Sequence, residues 1–171
     1  CFYNGQMIGG NPDDSPLPKG VNNPIKGEGV GDTYTVSNIK ALYQDLLDYF
    51  ILHQDKLFVL ITTPPSLKEN VSSKVADNLR AINSWLVKEW LIDYPHSNVF
   101  VFDYYNVLTS NGGNPDTNDL GFENGNHHRL DNGQIKHEIR LKNNFLSYGV
   151  WGDDHPTAVG HQKATGEFIP L

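Results

Sequence analysis

Apolar residues recur at Ile39, Leu42, Tyr43, Leu46, Leu47 and Phe50, in steps of three and four behind Thr35. That spacing lays one apolar stripe along a helix, and Thr35 is placed to cap it. A second stripe, Val75, Leu79, Ile82, Leu86 and Trp90, follows Ser72 and Ser73 and predicts a long helix capped by one of those serines. Between the stripes, Leu57 to Ile61 of "KLFVLITTPP" are continuously apolar and partly β-branched. Such a run predicts a strand buried on both faces of a parallel sheet, and Pro64 and Pro65 close it because proline cannot donate to a central ladder. "NVFVFDYY" repeats the pattern. Strand, helix and strand in that order predict a right-handed βαβ unit.

The remaining stretches have a different texture. Residues 5–34 are rich in Gly, Pro, Asn and Asp, which predicts a long surface loop, and 109–126 read as another. Within "HHRLDNGQIKHEIRL", Asn132-Gly133 is a preferred centre for a two-residue hairpin turn, so 109–147 reads as a loop-and-hairpin insertion. Pro156 predicts a final helix through Phe168, with the proline at its first position. The expected architecture is one α/β domain over residues 1–171, three layers deep, with a parallel sheet.

Composition narrows the function classes. A chain of 171 residues with 38% hydrophobic residues can bury a core. No apolar run approaches the ~20 residues of a spanning helix, so no membrane role is expected. A net charge of −7, with 13 Lys and Arg scattered along the chain, argues against nucleic acid as a partner. One cysteine, Cys1, excludes an internal disulfide and any cysteine-rich zinc site. A cysteine followed by the aromatics of "CFYNG" does not look like a lipoprotein terminus, and the apolar ends suggest a piece of a longer protein.

The chemistry concentrates near the C-terminus, in "GDDHPT". Asp153 and Asp154 run into His155, and two readings compete. An acidic stretch ahead of a helix stabilises its dipole, leaving the histidine incidental. Alternatively, a carboxylate beside the imidazole fixes its tautomer and stabilises the imidazolium, as in serine hydrolases. In open α/β sheets, ligands bind beyond the carboxyl ends of the strands, here Thr62 to Pro65 and Asp103 to Leu108.

"GDDHPTAVGHQKATGEF" resembles the last sequence block of the SGNH, or GDSL-type, hydrolases, in which Asp and His precede a proline-started helix. "KLFVLITTPPS" and "NVFVFDYYNVL" are similar to two of that family's strands with the loops that follow, so the likeness covers roughly residues 33–109 and 148–169. The resemblance implies a flavodoxin-like α/β/α fold and hydrolysis of esters, often of acylated sugars or lipids, with no cofactor. It makes His155 the general base and Asp153, with Asp154 second, the orienting acid. It also makes Asn4 the oxyanion donor, although a turn role explains a loop asparagine equally well. Thr63 and Pro64 at the strand end and Trp151 next to "GDDH" are the candidate substrate contacts. This chain departs from the family in two respects. No Gly-Asp-Ser block with the nucleophile is present, and the usual Asp-x-x-His spacing puts Gly152 where the acid belongs. The resemblance thus implies the C-terminal part of an exported esterase, extracellular or periplasmic, acting on a small-molecule or polysaccharide ester. The other reading is an SGNH-derived binding, surface or assembly module without catalysis.

Other groupings carry less. A turn at Asn132-Gly133 puts His128 opposite His137, and with His127, Glu123 or Asp131 nearby a metal could be held, although two exposed histidines on a solvated ribbon explain the pattern as well. "NPDTND" is acidic but lacks EF-hand spacing for calcium. Trp85 and Trp90 fall at core positions of a helix, which leaves Trp151 as the better candidate for stacking on a sugar.

Overall fold

A computed structural model of the protein describes residues 8–21, 34–64, 72–109, 130–131, 134–135 and 155–169. Their elements run α1 (Val36–Leu52), β1 (Phe58–Ile61), α2 (Ser73–Lys88), β2 (Val99–Phe102), the short α3 (Tyr104–Thr109), β3 (Leu130–Asp131), β4 (Gln134–Ile135) and α4 (Ala158–Phe168). The result is a mixed α/β arrangement of three longer helices and a two-stranded parallel sheet of β1 and β2, while β3 and β4 form a second two-stranded sheet. The described residues fall into two compact units, those within Cys1–Leu60 and Ser73–Val101, and those within Ile61–Ser72 and Phe102–Leu171. Among them no helix is long and apolar enough to cross a membrane.

Helix α1 forms where its stripe predicts, and the Thr35 hydroxyl accepts from the Asn38 amide at 3.2 Å to satisfy one orphan donor of the first turn. Ile39 and Phe50 of this helix pack against Leu79, Ile82 and Leu86 of α2, with Trp85, Trp90 and Val99 completing the core of the first unit. Edge-on ring contacts join Trp90 to Tyr43 at 5.7 Å and to Phe50 at 6.3 Å.

β1 and β2 run parallel, since the Phe58 amide donates to the Asn98 carbonyl at 2.7 Å and the Thr62 amide to the Phe102 carbonyl at 3.1 Å, the partners advancing together. Here the expectation of a strand buried on both faces needs correcting. Phe58, Val59 and Leu60 are half-buried and Ile61 is 53% exposed, because among the described residues β1 pairs with β2 alone and its ladder is incomplete. The second strand also ends earlier than "NVFVFDYY" suggests. β2 stops at Phe102, and the Val107 amide donates to the Asp103 carbonyl at 3.1 Å, opening α3.

Polar side chains hold this unit together. The buried Asn98 carboxamide donates to the Phe50 carbonyl at 3.1 Å and the His53 carbonyl at 3.3 Å, and accepts from the Tyr94 hydroxyl at 2.8 Å. It thereby closes the C-terminal end of α1, adding a second donor to carbonyls that also accept from the His53 and Lys56 amides. Asn78, fully buried on α2, donates to the carbonyls of Ile8 at 2.8 Å and Gly10 at 3.2 Å. So part of the expected surface loop 5–34 lies inside. Ile8 is buried, and Gly9 bridges Thr35 in parallel through its amide to the Tyr34 carbonyl at 2.6 Å. At Gly10 the chain turns with φ +82°, and a Cβ there would meet the Asp14 carboxylate at 2.6 Å.

Lys40 points inward, donating to the Asp14 carbonyl at 2.8 Å with its ammonium 5.8 Å from the Trp85 ring centre. Burial holds its pKa below the usual 10.5, against the opposing pull of Glu89, Asp14 and Asp13. Tyr43 goes the other way, burial raising its phenol to about 12.

β3 and β4 pair antiparallel, Leu130 with Ile135 and Asp131 with Gln134, the register that a two-residue turn at 132–133 predicts. His127, His128, His137 and Glu123, the other groups of the metal reading, lie outside the described residues. Asp131 is placed on β3. Among the described residues no three His, Cys, Asp or Glu side chains converge on a metal position.

Two outcomes test this account. Asn98→Ala removes the second donor of the Phe50 and His53 carbonyls, which keep the His53 and Lys56 amides, and the acceptor of the half-buried Tyr94 hydroxyl. It should cost about 2 kcal/mol of unfolding free energy in urea, whereas Tyr94→Phe should cost about 1 kcal/mol, and equal small losses would show that the carboxamide is not the joint. The folded state releases the Lys40 proton before the unfolded chain does, so stability should rise with pH in the window just below 10.5. Tyr43 reverses the slope above 10.0, where the unfolded phenol ionises first. Lys40→Met should abolish the rise and keep the fall, read from urea midpoints across that range.

Candidate functional site

The polar groups best placed for chemistry stand at the carboxyl ends of β1 and β2, in the second unit. Thr62 follows β1 and is 1% exposed, and Asp103 follows β2 and is 7% exposed. The Thr62 hydroxyl donates to Asp103 Oδ1 at 3.1 Å and accepts from the Tyr105 amide at 2.9 Å. One hydroxyl therefore holds a buried carboxylate and one of the orphan amides in the first turn of α3. The arrangement follows from local sequence: Asp103 disfavours a continued strand, and its carbonyl opens the helix.

Beside this cluster lies an open groove of about 240 Å³, lined by Ile61, Phe102, Tyr104, His161, Ala164, Thr165 and Phe168. Phe102 is its pivot. Its ring lies near-parallel to Tyr104 at 6.3 Å and meets Phe168 edge-on at 5.1 Å. Burial raises the Tyr104 phenol above its usual 10.0. α4 brings His161 to the rim, and the Thr165 hydroxyl donates to the His161 carbonyl at 2.8 Å, so the histidine is carried on a regular helical turn.

α4 ends at Phe168 as expected, but its start corrects the sequence reading. The N-cap is Thr157, whose hydroxyl accepts from the Gly160 amide at 3.3 Å, and Pro156 precedes the cap instead of occupying the first helical position. A threonine hydroxyl can satisfy an orphan amide, while proline offers only a favourable φ, so the cap falls on Thr157.

Of the site residues expected from sequence, His155 is exposed two residues before that cap, and Thr63 and Pro64 are half-buried past the end of β1. Asn4, Trp151, Asp153 and Asp154 lie outside the described residues. The described hydrogen bonds instead join Thr62 to Asp103, and His161 lines the same groove as Phe102, Tyr104 and Phe168. Sequence reasoning located the two strand ends but did not pair Thr62 with Asp103; the available signal was a hydrogen-bonding residue directly after each strand. His161 was missed, its only signal being an imidazole one turn into a helix.

No protein-family model, curated protein or solved structure matches the chain. Thr157→Ala should cost about 1 kcal/mol through loss of the α4 cap, read as a lowered urea midpoint, and Thr157→Ser should restore it; an unchanged midpoint in the alanine variant would place the helix start elsewhere.

Proposed function

We propose that these residues form the C-terminal part of an exported SGNH-like ester hydrolase, with the flavodoxin-like α/β/α sheet of that family, acting on carboxylic esters of a polysaccharide or a small acyl substrate. The observation that carries this reading is the placement of His155, exposed and directly ahead of a helix, in a "DDHP" block. A parallel β1–β2 pair with a buried hydroxyl and carboxylate at its carboxyl ends supports it, since ligands of open α/β sheets bind at that rim.

In this proposal the nucleophilic serine comes from outside these 171 residues. His155 removes its proton as the oxygen attacks the ester carbonyl carbon, and the imidazolium is held by Asp153, or by Asp154. Asn4 donates to the tetrahedral oxyanion. Collapse breaks the carbon–oxygen bond, and the departing alkoxide takes the proton back from the imidazolium. Water, deprotonated by the same imidazole, then releases the acid and frees the serine. Thr63, Pro64 and Trp151 line the substrate in this scheme.

The lack of a Gly-Asp-Ser block among these residues favours a second reading, a binding or assembly module derived from the same fold. One experiment separates the two. The full-length natural protein is treated with a fluorophosphonate probe and assayed on p-nitrophenyl acetate and an acetylated polysaccharide. A labelled serine, with kcat/KM lowered about a thousandfold in His155→Ala, establishes the hydrolase. Absence of labelling and turnover, or full activity in the alanine variant, overturns it, and the first of these outcomes leaves the module.

A further inference from the structure

The Thr62 hydroxyl has more partners than a strand end requires. The backbone of β1 is already paired at that residue, through the Thr62 amide and the Phe102 carbonyl. The side chain is then free to join two further groups, the Asp103 carboxylate and the Tyr105 amide. Tyr104 stands between those two in sequence, and its ring forms one wall of the groove, beside Phe102 and across from the α4 residues His161 and Phe168. Helix α3 is only six residues long, too short to be stable on its own. Its first turn is held from outside, and Thr62 is one of the groups that hold it.

We infer that Thr62 is a positioning residue for substrate selection: acting through Asp103 and the first turn of α3, it holds Tyr104 as the wall of a groove that takes the apolar acyl group of an ester. This rests on the hydrolase reading and adds the substrate class to it. The groove volume of about 240 Å³ corresponds to roughly eight water volumes, room for a short chain or a single ring. Its walls are mostly aromatic and aliphatic, with the His161 imidazole and Thr165 as polar members, a lining suited to an apolar group that ends in a polar ester. Its position beside the strand ends puts that group within the region where ligands of such sheets bind.

Two variants of the full-length protein test the inference. Thr62→Val removes the hydroxyl at nearly constant volume, and Thr62→Ser keeps it. The ratio of kcat/KM for a p-nitrophenyl hexanoate ester to that for the acetate should fall about tenfold in the valine variant, mostly through KM, and return toward the original in the serine variant. A role confined to stability would lower both esters together and leave the ratio unmoved, so an unchanged ratio in folded Thr62→Val overturns the inference. Hexanoate binding, followed by amide chemical shifts of Ala164 and Phe168, decides the matter without turnover. If the natural protein hydrolyses neither ester, the hydrolase reading fails. Saturable hexanoate shifts that weaken in Thr62→Val and recover in Thr62→Ser would then still support the positioning role, and absence of such shifts would sink it. Should the valine variant not fold, Tyr104→Ala gives the same comparison, and an unchanged ratio there overturns the groove assignment.

Discussion

A strand of four residues leaves peptide groups at each end with no ladder partner, and burying those groups is tolerable only where side chains or neighbouring backbone supply the missing bonds. That constraint organises both units. In the first, Asn98 sits where β2 begins. Its carbonyl accepts from the start of β1, and its carboxamide ties off α1 and the Tyr94 turn. In the second, Thr62 and Asp103 do the corresponding work where the strands end, and their bonding redirects the chain into α3. Neither cluster adds apolar area. Each decides where elements begin and stop.

The same economy marks the segment at residues 8–10. It contributes one buried apolar side chain, Ile8, and is otherwise held through backbone groups that Asn78, Tyr34 and Val36 satisfy. A buried asparagine is costly unless bonded, so its presence on the inner face of α2 fits a segment that needs donors. Lys40 follows the same logic with a charge. Its methylenes run inward along α1 while the ammonium meets a carbonyl and an indole face.

Much of the fold was legible in the spacing of apolar residues. The stripes of α1 and α2, the cap at Thr35, the strands at 58–61 and 99–102 and the pairing of Asp131 with Gln134 all rest on local signals. What escaped was non-local. Nothing adjacent to Asn98 or Asn78 says that distant carbonyls need donors there. The Gly- and Pro-rich texture of 5–34 does not reveal that Gly9 pairs with Thr35 ahead of α1 or that Ile8 is buried. Proline suits the first helical position, so Pro156 reads as a helix start, yet the Thr157 hydroxyl beside it has the stronger claim. For the site, sequence placed the two strand ends and the histidine ahead of α4, but the joining of Thr62 to Asp103 depends on register between strands forty residues apart. Four of the seven expected site residues, Asn4, Trp151, Asp153 and Asp154, fall outside the described residues, so the acid–base pair rests on the motif alone.

The ammonium above Trp85 has an optical corollary. A fixed positive charge near an indole face shifts the energies of its electronic transitions, and the shift vanishes when the charge is lost. Trp85 is thus placed as a built-in voltmeter for Lys40, its ring centre 5.8 Å from the ammonium nitrogen whose charge would tune it.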